Sequence, residues 1–303
     1  MKQKNNFYPQ KLYLSILPKK NNILKIRQTH YFTEGARSAI CLFLSSNPSK
    51  GPVLVPAYNC GKEVEAIIAA GYEIVSYNIN RDFSVDIELL ESLIIKVKPS
   101  FILVTNFFGK QDKNIDKIIT IFNKYKVGII EDCAHCYFGD NNGKHFGDVS
   151  IYSLRKFYAR NDLGLLIFNN DKYQFKKNSK KYLDKNIKFG PLRKQYRLSR
   201  NYVQILLFLL ANNELISRVR RDNYLNLCAK FSTYKEYDPK QTPFCYYLLN
   251  NNRTTDLYSK YNAIDFWDRF HPSINWSEYP DSVWLKNNVK IITVNQDRLR
   301  TYN

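Results

Sequence analysis

Between residues 128 and 168 the chain reads GIIEDCAHCYFGDNNGKHFGDVSIYSLRKFYARNDLGLLIF. One apolar run ends in the acids Glu131 and Asp132, a second, Val149–Ser153, delivers Lys156, and a third follows over residues 165–168. A lysine at the rim of an apolar sheet sheds its proton readily and can condense with an aldehyde as a Schiff base. An aspartate beside it can hold the protonated ring nitrogen of pyridoxal phosphate (PLP), keeping that ring an electron sink. A surface lysine and a strand-end aspartate also occur in many α/β proteins, so the pair acquires meaning only from the elements around it.

Runs this short, bounded by Gly, Asn and Asp, read as buried strands rather than helices. Upstream, Thr33 or Glu34 can open a helix whose buried side is Ala39, Ile40, Leu42, Phe43 and Leu44. Its first turn, Gly35-Ala36-Arg37-Ser38, offers free backbone N–H groups suited to a phosphate, although an ordinary helix cap reads the same. A strand at Val53–Pro56, a helix over 63–70 closed by Gly71 and a strand over 73–77 come next. A further helix, a strand at Phe101–Thr105, a loop over 106–109, a helix over 114–125 and a strand over 127–130 complete the series. Such alternation predicts an α/β fold with a mainly parallel sheet covered by helices on both faces. Ligands of such sheets sit beyond the C-terminal strand ends, where Tyr58, Asn59, Cys60, Asn106, Asp132 and Lys156 all fall. Residues 202–227 read as a helix, and the mixed segments after it, with turns at Pro239, Pro243, Pro272 and Pro280, as a small α+β domain. The division expected is a large domain with an N-terminal arm over 1–200 and a helix plus small domain over 201–303.

Composition narrows the classes. The hydrophobic share is 44% of 303 residues, and no apolar run reaches the ~18 residues a membrane span needs. The first residues lack an apolar core and a small-residue cleavage site, so a cytoplasmic protein is expected. Six scattered cysteines in a chain this long point to free thiols rather than a disulfide framework. Cys133-Ala134-His135-Cys136 looks like half a zinc site, but no second Cys/His pair follows at finger-like spacing, so no metal is expected. The formal net charge of +19 is spread through Lys- and Asn-rich sequence without a nucleic-acid motif. A basic surface instead suits an anionic substrate such as a nucleotide sugar.

With these residues in hand the chain resembles the DegT/DnrJ/StrS family of PLP-dependent sugar aminotransferases, of fold type I. Gly35-Ala36-Arg37-Ser38-Ala39-Ile40 resembles the family's helix start, and Val55-Pro56-Ala57-Tyr58-Asn59-Cys60 with Gly71-Tyr72-Glu73-Ile74-Val75 its next strand pair. Asn106-Phe107-Phe108-Gly109, Glu131-Asp132-Cys133-Ala134-His135 and Tyr152-Ser153-Leu154-Arg155-Lys156 resemble three further motifs, in order, and Trp276 and the segment 291–297 its tail. The resemblance implies a seven-stranded-type, mainly parallel sheet with a reduced C-terminal α+β domain. It implies Lys156 as the Schiff-base lysine and proton shuttle, Asp132 on the pyridine nitrogen and His135 on the ring's phenolic oxygen. Ala36 and Arg37 would give backbone groups, and Ser153 its hydroxyl, to the phosphate. Cys60 falls where an aromatic ring often stacks on the cofactor. Amino transfer from glutamate to a nucleotide-linked keto-sugar, in surface-polysaccharide or related biosynthesis, and a homodimer would follow. Asn161-Asp162-Leu163-Gly164 departs from the glutamate and two glycines usual after the lysine, and this favours an alternative, a catalytically altered homologue that binds or assembles.

The remaining candidates read as ordinary. His30, His145 and His271 stand in polar surroundings and are expected at the surface; Tyr58 and Asn59 shape a turn or line the pocket. The run Arg218, Arg220, Arg221 reads as a solvated helix face, with anion binding the lesser alternative.

Overall fold

A computed structural model of the chain describes residues 30–33, 35–140, 145–157, 163–173, 213–231, 238, 241–249, 261–267 and 271–295. Seven strands, β1 (His30–Thr33), β2 (Val53–Pro56), β3 (Ile74–Tyr77), β4 (Phe101–Thr105), β5 (Gly128–Asp132), β6 (Val149–Ser153) and β7 (Gly164–Phe168), form one sheet in the order β1-β7-β6-β5-β4-β2-β3. The strands from β3 across to β6 run parallel, while β7 lies antiparallel to both β6 and β1. The middle strands β4, β5, β6 and β7 are buried along their whole length, which is why they appear as unbroken apolar runs.

Strand alternation sorts the side chains onto two faces. Leu54, Ile102 and Val104 meet α3 (Ile87–Val97) and α4 (Ile115–Tyr125) through Leu90, Ile94, Ile118 and Phe122. Val53, Val55 and Leu103 meet α1 (Ala36–Ser46) and α2 (Lys62–Ala69) through Ile40, Phe43 and Ile67 on the other face. Each such fully buried aliphatic residue contributes about 1.5–3 kcal/mol. Local signals set the helix ends: Asp86 caps α3 by accepting from the Leu89 N–H at 3.0 Å, and Lys98 closes it in the left-handed conformation.

A second sheet, β8 (Cys245–Leu249), β9 (Ile264–Asp265) and β10 (Val289–Thr293), is antiparallel in the order β8-β10-β9. Helix α5 (Asn213–Lys230) packs Tyr224, Leu227 and Cys228 against Tyr246, Leu248 and Ile292. Helix α6 (Pro280–Asn288), with proline in its first turn, places Leu285 in the same core as α3 and α4. No described helix is long and apolar enough to cross a membrane. The six cysteines are free.

Most expected elements appear within two residues of their sequence positions. Helix α1 starts at Ala36 rather than at Thr33 or Glu34, because Thr33 pairs with Gly164 in the ladder and its hydroxyl donates to the Gly35 carbonyl at 2.9 Å. The arm before His30, residues 202–211 of the expected helix and the expected boundary near residue 200 lie outside the described residues.

Candidate active site

The strand order reverses between β2 and β4, and the loops beyond their C-terminal ends, with those of β5 and β6, form one rim. Asp132 ends β5, paired with Ile151 of β6, and Lys156 follows in the short 3-10 turn Leu154–Lys156 that leaves β6. The two side chains converge closely enough to act on each other's ionisation, as do Cys60 and Glu63 from the β2–α2 loop and helix. Burial pushes the Asp132 carboxyl up, helped by the Glu63 carboxylate and opposed by Lys156, to about 6. Burial drives the Lys156 ammonium below its usual range, against the pull of Cys60, Asp132 and Glu63 and with the help of Arg155. Both shifts move the pair toward neutral pH, where a proton-transfer group is most effective.

His135 is 2% exposed, and burial, with Lys156 nearby, holds its imidazole well below the ordinary histidine range. Its Nδ1 accepts the Phe108 N–H at 3.2 Å, so the neutral ring carries its proton on Nε2. Stacking on Phe244 (centroids 4.5 Å, planes within 4°) and on Phe108 fixes the ring plane. Phe108 is itself held at φ 56 in the loop after β4.

A second group of predicted residues meets at the start of α1. Gly35, at φ 105, caps the helix with no side chain bonded across its first turn and no acid within it. Ser153 is buried and pairs with Gly164, and any Cβ at Gly164 would lie 2.3 Å from the Gly35 carbonyl carbon. That close approach sets the helix start beside the end of β6, three residues from Lys156. Ala36 and Arg37 thus place backbone N–H groups there, while the Arg37 side chain pairs with Glu65 at 3.6 Å and faces solvent.

Cys60 is bound instead to Glu63: its N–H donates to Oε1 at 3.1 Å and its thiol to Oε2 at 2.7 Å. Burial, then Glu63, raises the thiol well above its usual pKa. Tyr58 is buried and packs with Phe107 and Trp267, and Asn59 shapes the turn by donating to the Pro56 carbonyl at 2.6 Å and accepting from the Gly61 N–H.

Four contributors were not legible as site residues: Glu63, Arg220, Phe244 and Trp267. Phe244 lies with its ring centroid 5.2 Å from the Lys156 Nζ, and Trp267 faces His135 at 5.4 Å, so segments flanking β8 and β9 wall the rim with aromatic surface. Arg220 overturns the reading of a solvated helix face. It is 1% exposed, lies over the Phe157 ring and donates to the carbonyls of Lys156 (3.1 Å), Pro243 and Phe244 and to Asn295 Oδ1. It thereby ties the lysine turn to α5 and to the segments before β8 and after β10. Arg220→Leu is expected to cost about 3 kcal/mol, because several buried carbonyls lose a charged donor; urea unfolding measures it, and a loss below ~1 kcal/mol would contradict the role. His271, expected at the surface, is buried with its ring against Gly61, and His145, expected there too, is half-buried, its side chain turned in toward Glu131. The side chain of His30 lies outside the described residues. A cleft of about 740 Å³ opens at the opposite ends of the strands, lined by Asn47, Ser100, Lys126 and Tyr173, and none of the site residues reaches it.

This sheet order, with a lysine past β6 and an aspartate ending β5, defines the α/β fold of PLP-dependent aminotransferases, fold type I. Residues 34–179 match the model of the DegT/DnrJ/EryC1/StrS aminotransferase family. Among solved structures, a DegT DnrJ EryC1 StrS aminotransferase from Brucella abortus superimposes with a TM-score of 0.69 at 18% identity, covering 88% of this chain and 81% of that one. Helicobacter pylori PseC, an aminotransferase involved in the biosynthesis of pseudoaminic acid, gives 0.66 at 15% identity over 90% and 83%. The putative sugar aminotransferase Spr1654 from Streptococcus pneumoniae, in its PMP form, gives 0.69 at 16% identity over 88% and 83%. At these identities the likeness is one of fold. No curated protein matches the chain.

Proposed function

We propose that the chain is a PLP-dependent aminotransferase that takes an amino group from glutamate and delivers it to the ketone of a nucleotide-linked sugar. The observation that carries this reading is the convergence of Lys156 and Asp132 at neighbouring strand ends, within the span that matches the family. The donor set suits the cofactor. Asp132 is a buried carboxylate short of positive charge, which a protonated ring nitrogen supplies. His135 presents an Nε2–H for an oxygen, and the start of α1 with the Ser153 hydroxyl suits a phosphate.

When bound, PLP supplies an electron sink that lets a C–H bond beside the amine ionise. Asp132 holds the ring nitrogen protonated, and His135 fixes the ring's orientation through its phenolic oxygen. Lys156 anchors the aldehyde while no substrate is present. Once released by the incoming amine, its Nζ would take the proton from the amine-bearing carbon and return it to the carbon on the far side of the shared nitrogen, and would repeat this in reverse for the sugar. The depressed basicity of that amine keeps it free to accept a proton near neutral pH. Phe244 shields the lysine from water, and Trp267 covers His135 beside it. The net charge of +19 favours a substrate bearing phosphates. A cytoplasmic homodimer serving surface-polysaccharide or related sugar biosynthesis accords with the family and with PseC among its relatives in fold.

The test is a coupled assay of the PLP-loaded protein with glutamate and a nucleoside-diphosphate keto-sugar. Formation of 2-oxoglutarate and a matching amino-sugar mass is expected. PLP retained without any 2-oxoglutarate would leave the non-catalytic homologue as the correct reading.

A further inference from the structure

We infer that Glu131, Cys133 and His145 form a binding site for a thiophilic divalent ion, zinc by ligand type, on the side of β5 opposite Asp132. Strand alternation sends Glu131 and Cys133 to one face while Asp132 points to the other. His145, four residues before β6, brings Nδ1 to 3.4 Å from Glu131 Oε2. The three residues each offer one ligand atom, and all three atoms lie within 4.8 Å of one another. Glu131 and Cys133 are fully buried, and the His145 side chain is 7% exposed.

Two polar atoms at this place are buried without a hydrogen-bond partner: His145 Nδ1 and Asn106 Oδ1. Asn106 belongs to the cluster, since its Nδ2 donates to Glu131 Oε1 at 3.0 Å and approaches Cys133 Sγ at 3.6 Å. Orphaned buried groups are costly, and a ligated ion would satisfy the imidazole nitrogen directly. One nitrogen, one thiolate and one carboxylate oxygen is a donor set that zinc accepts, with a fourth position left for a water or for Asn106. Ligand atoms around tetrahedral zinc stand roughly 3.3–3.6 Å apart, a separation the Glu131–His145 pair already has. An ion of charge +2 also cancels a carboxylate and a thiolate, leaving the buried unit neutral. Outer partners are in place: Ser150 Oγ donates to Glu131 Oε2 at 2.7 Å, and Asn169 Nδ2 donates to Ser150 at 2.8 Å. The ion would clamp the segment before β6 onto β5, behind the aspartate; it does not depend on the aminotransferase reading.

The protein purified without chelator is expected to hold about one zinc per chain by plasma mass spectrometry. Exchange for cobalt is expected to give a thiolate-to-cobalt charge-transfer band in the near ultraviolet. Cys133→Ser and His145→Gln, checked for folding by circular dichroism, are expected to lose the ion. Zinc retained equally by both variants would place it elsewhere and overturn the site. Should the variants fail to fold, wild-type protein stripped of metal decides: cobalt titration without a thiolate band overturns the proposal, and a saturable band supports it.

Discussion

Lys156→Ala is expected to lower amino transfer by at least about 10⁴-fold and to leave the protein unable to retain PLP through gel filtration. The size of the effect follows from the number of tasks placed on one nitrogen. In the proposed reaction it would be both the covalent anchor for an aldehyde and the group that carries a proton between two carbons joined through one nitrogen. Because Lys156 is buried and its ammonium is destabilised there, the substitution should leave the fold intact, with a thermal midpoint close to wild type. In wild type the same depression of basicity predicts that kcat, which reports the lysine once the substrate has released it, rises with pH through a value below that of an ordinary lysine. A K156A protein that kept both PLP and transfer would remove the lysine from the mechanism.

Asp132→Asn should separate stability from activity. The carboxyl is raised to about 6 in the folded chain from an ordinary 3.8. A group raised on folding contributes stability that is full below its unfolded pKa and is lost as pH climbs through its folded one. Between about pH 4 and 6 the cofactor-free wild type therefore loses about 3 kcal/mol that a neutral amide does not lose. Without cofactor at pH 7 the variant should unfold at higher urea than wild type, and the difference should vanish near pH 4. The Ala134 N–H, which donates to Asp132 Oδ1 at 2.9 Å, finds an acceptor in either side chain. Transfer activity should fall by about 10²–10⁴-fold, since the ring nitrogen no longer meets a charge. Parallel pH–stability curves for the two proteins would refute the electrostatic account.

The sheet was readable because its middle strands are buried on both faces, so β4, β5 and β6 appear as plain apolar runs ending in polar residues. For the same reason Asp132 and Lys156 fall at a common rim in the sequence, whereas His135 was reached only through the family resemblance. Direction was not readable: nothing in GLLIF tells that β7 runs against its neighbours, since direction is set by pairing with β1 and β6. Arg220 was hidden by its company. In the run from 218 to 221 the helical period turns Arg218 to solvent and Arg220 inward, and three like charges in a row conceal which is which. Phe244 and Trp267 reach Lys156 and His135 from segments far along the chain with no periodic pattern of their own. His145 was misjudged because polar neighbours in sequence say nothing of the Tyr152 ring and the Glu131 carboxylate that enclose it.

Successive residues at the end of β5 serve opposite sides of the sheet, Glu131 and Cys133 behind and Asp132 in front. Point changes at Ile129 and Ile130 disturb core volume without changing which face the following residues take. A deletion or insertion of one residue in the same stretch would invert the parity of all that follows, turning the aspartate into the interior and a thiol toward the lysine. The length of this strand is therefore under a stricter constraint than its composition.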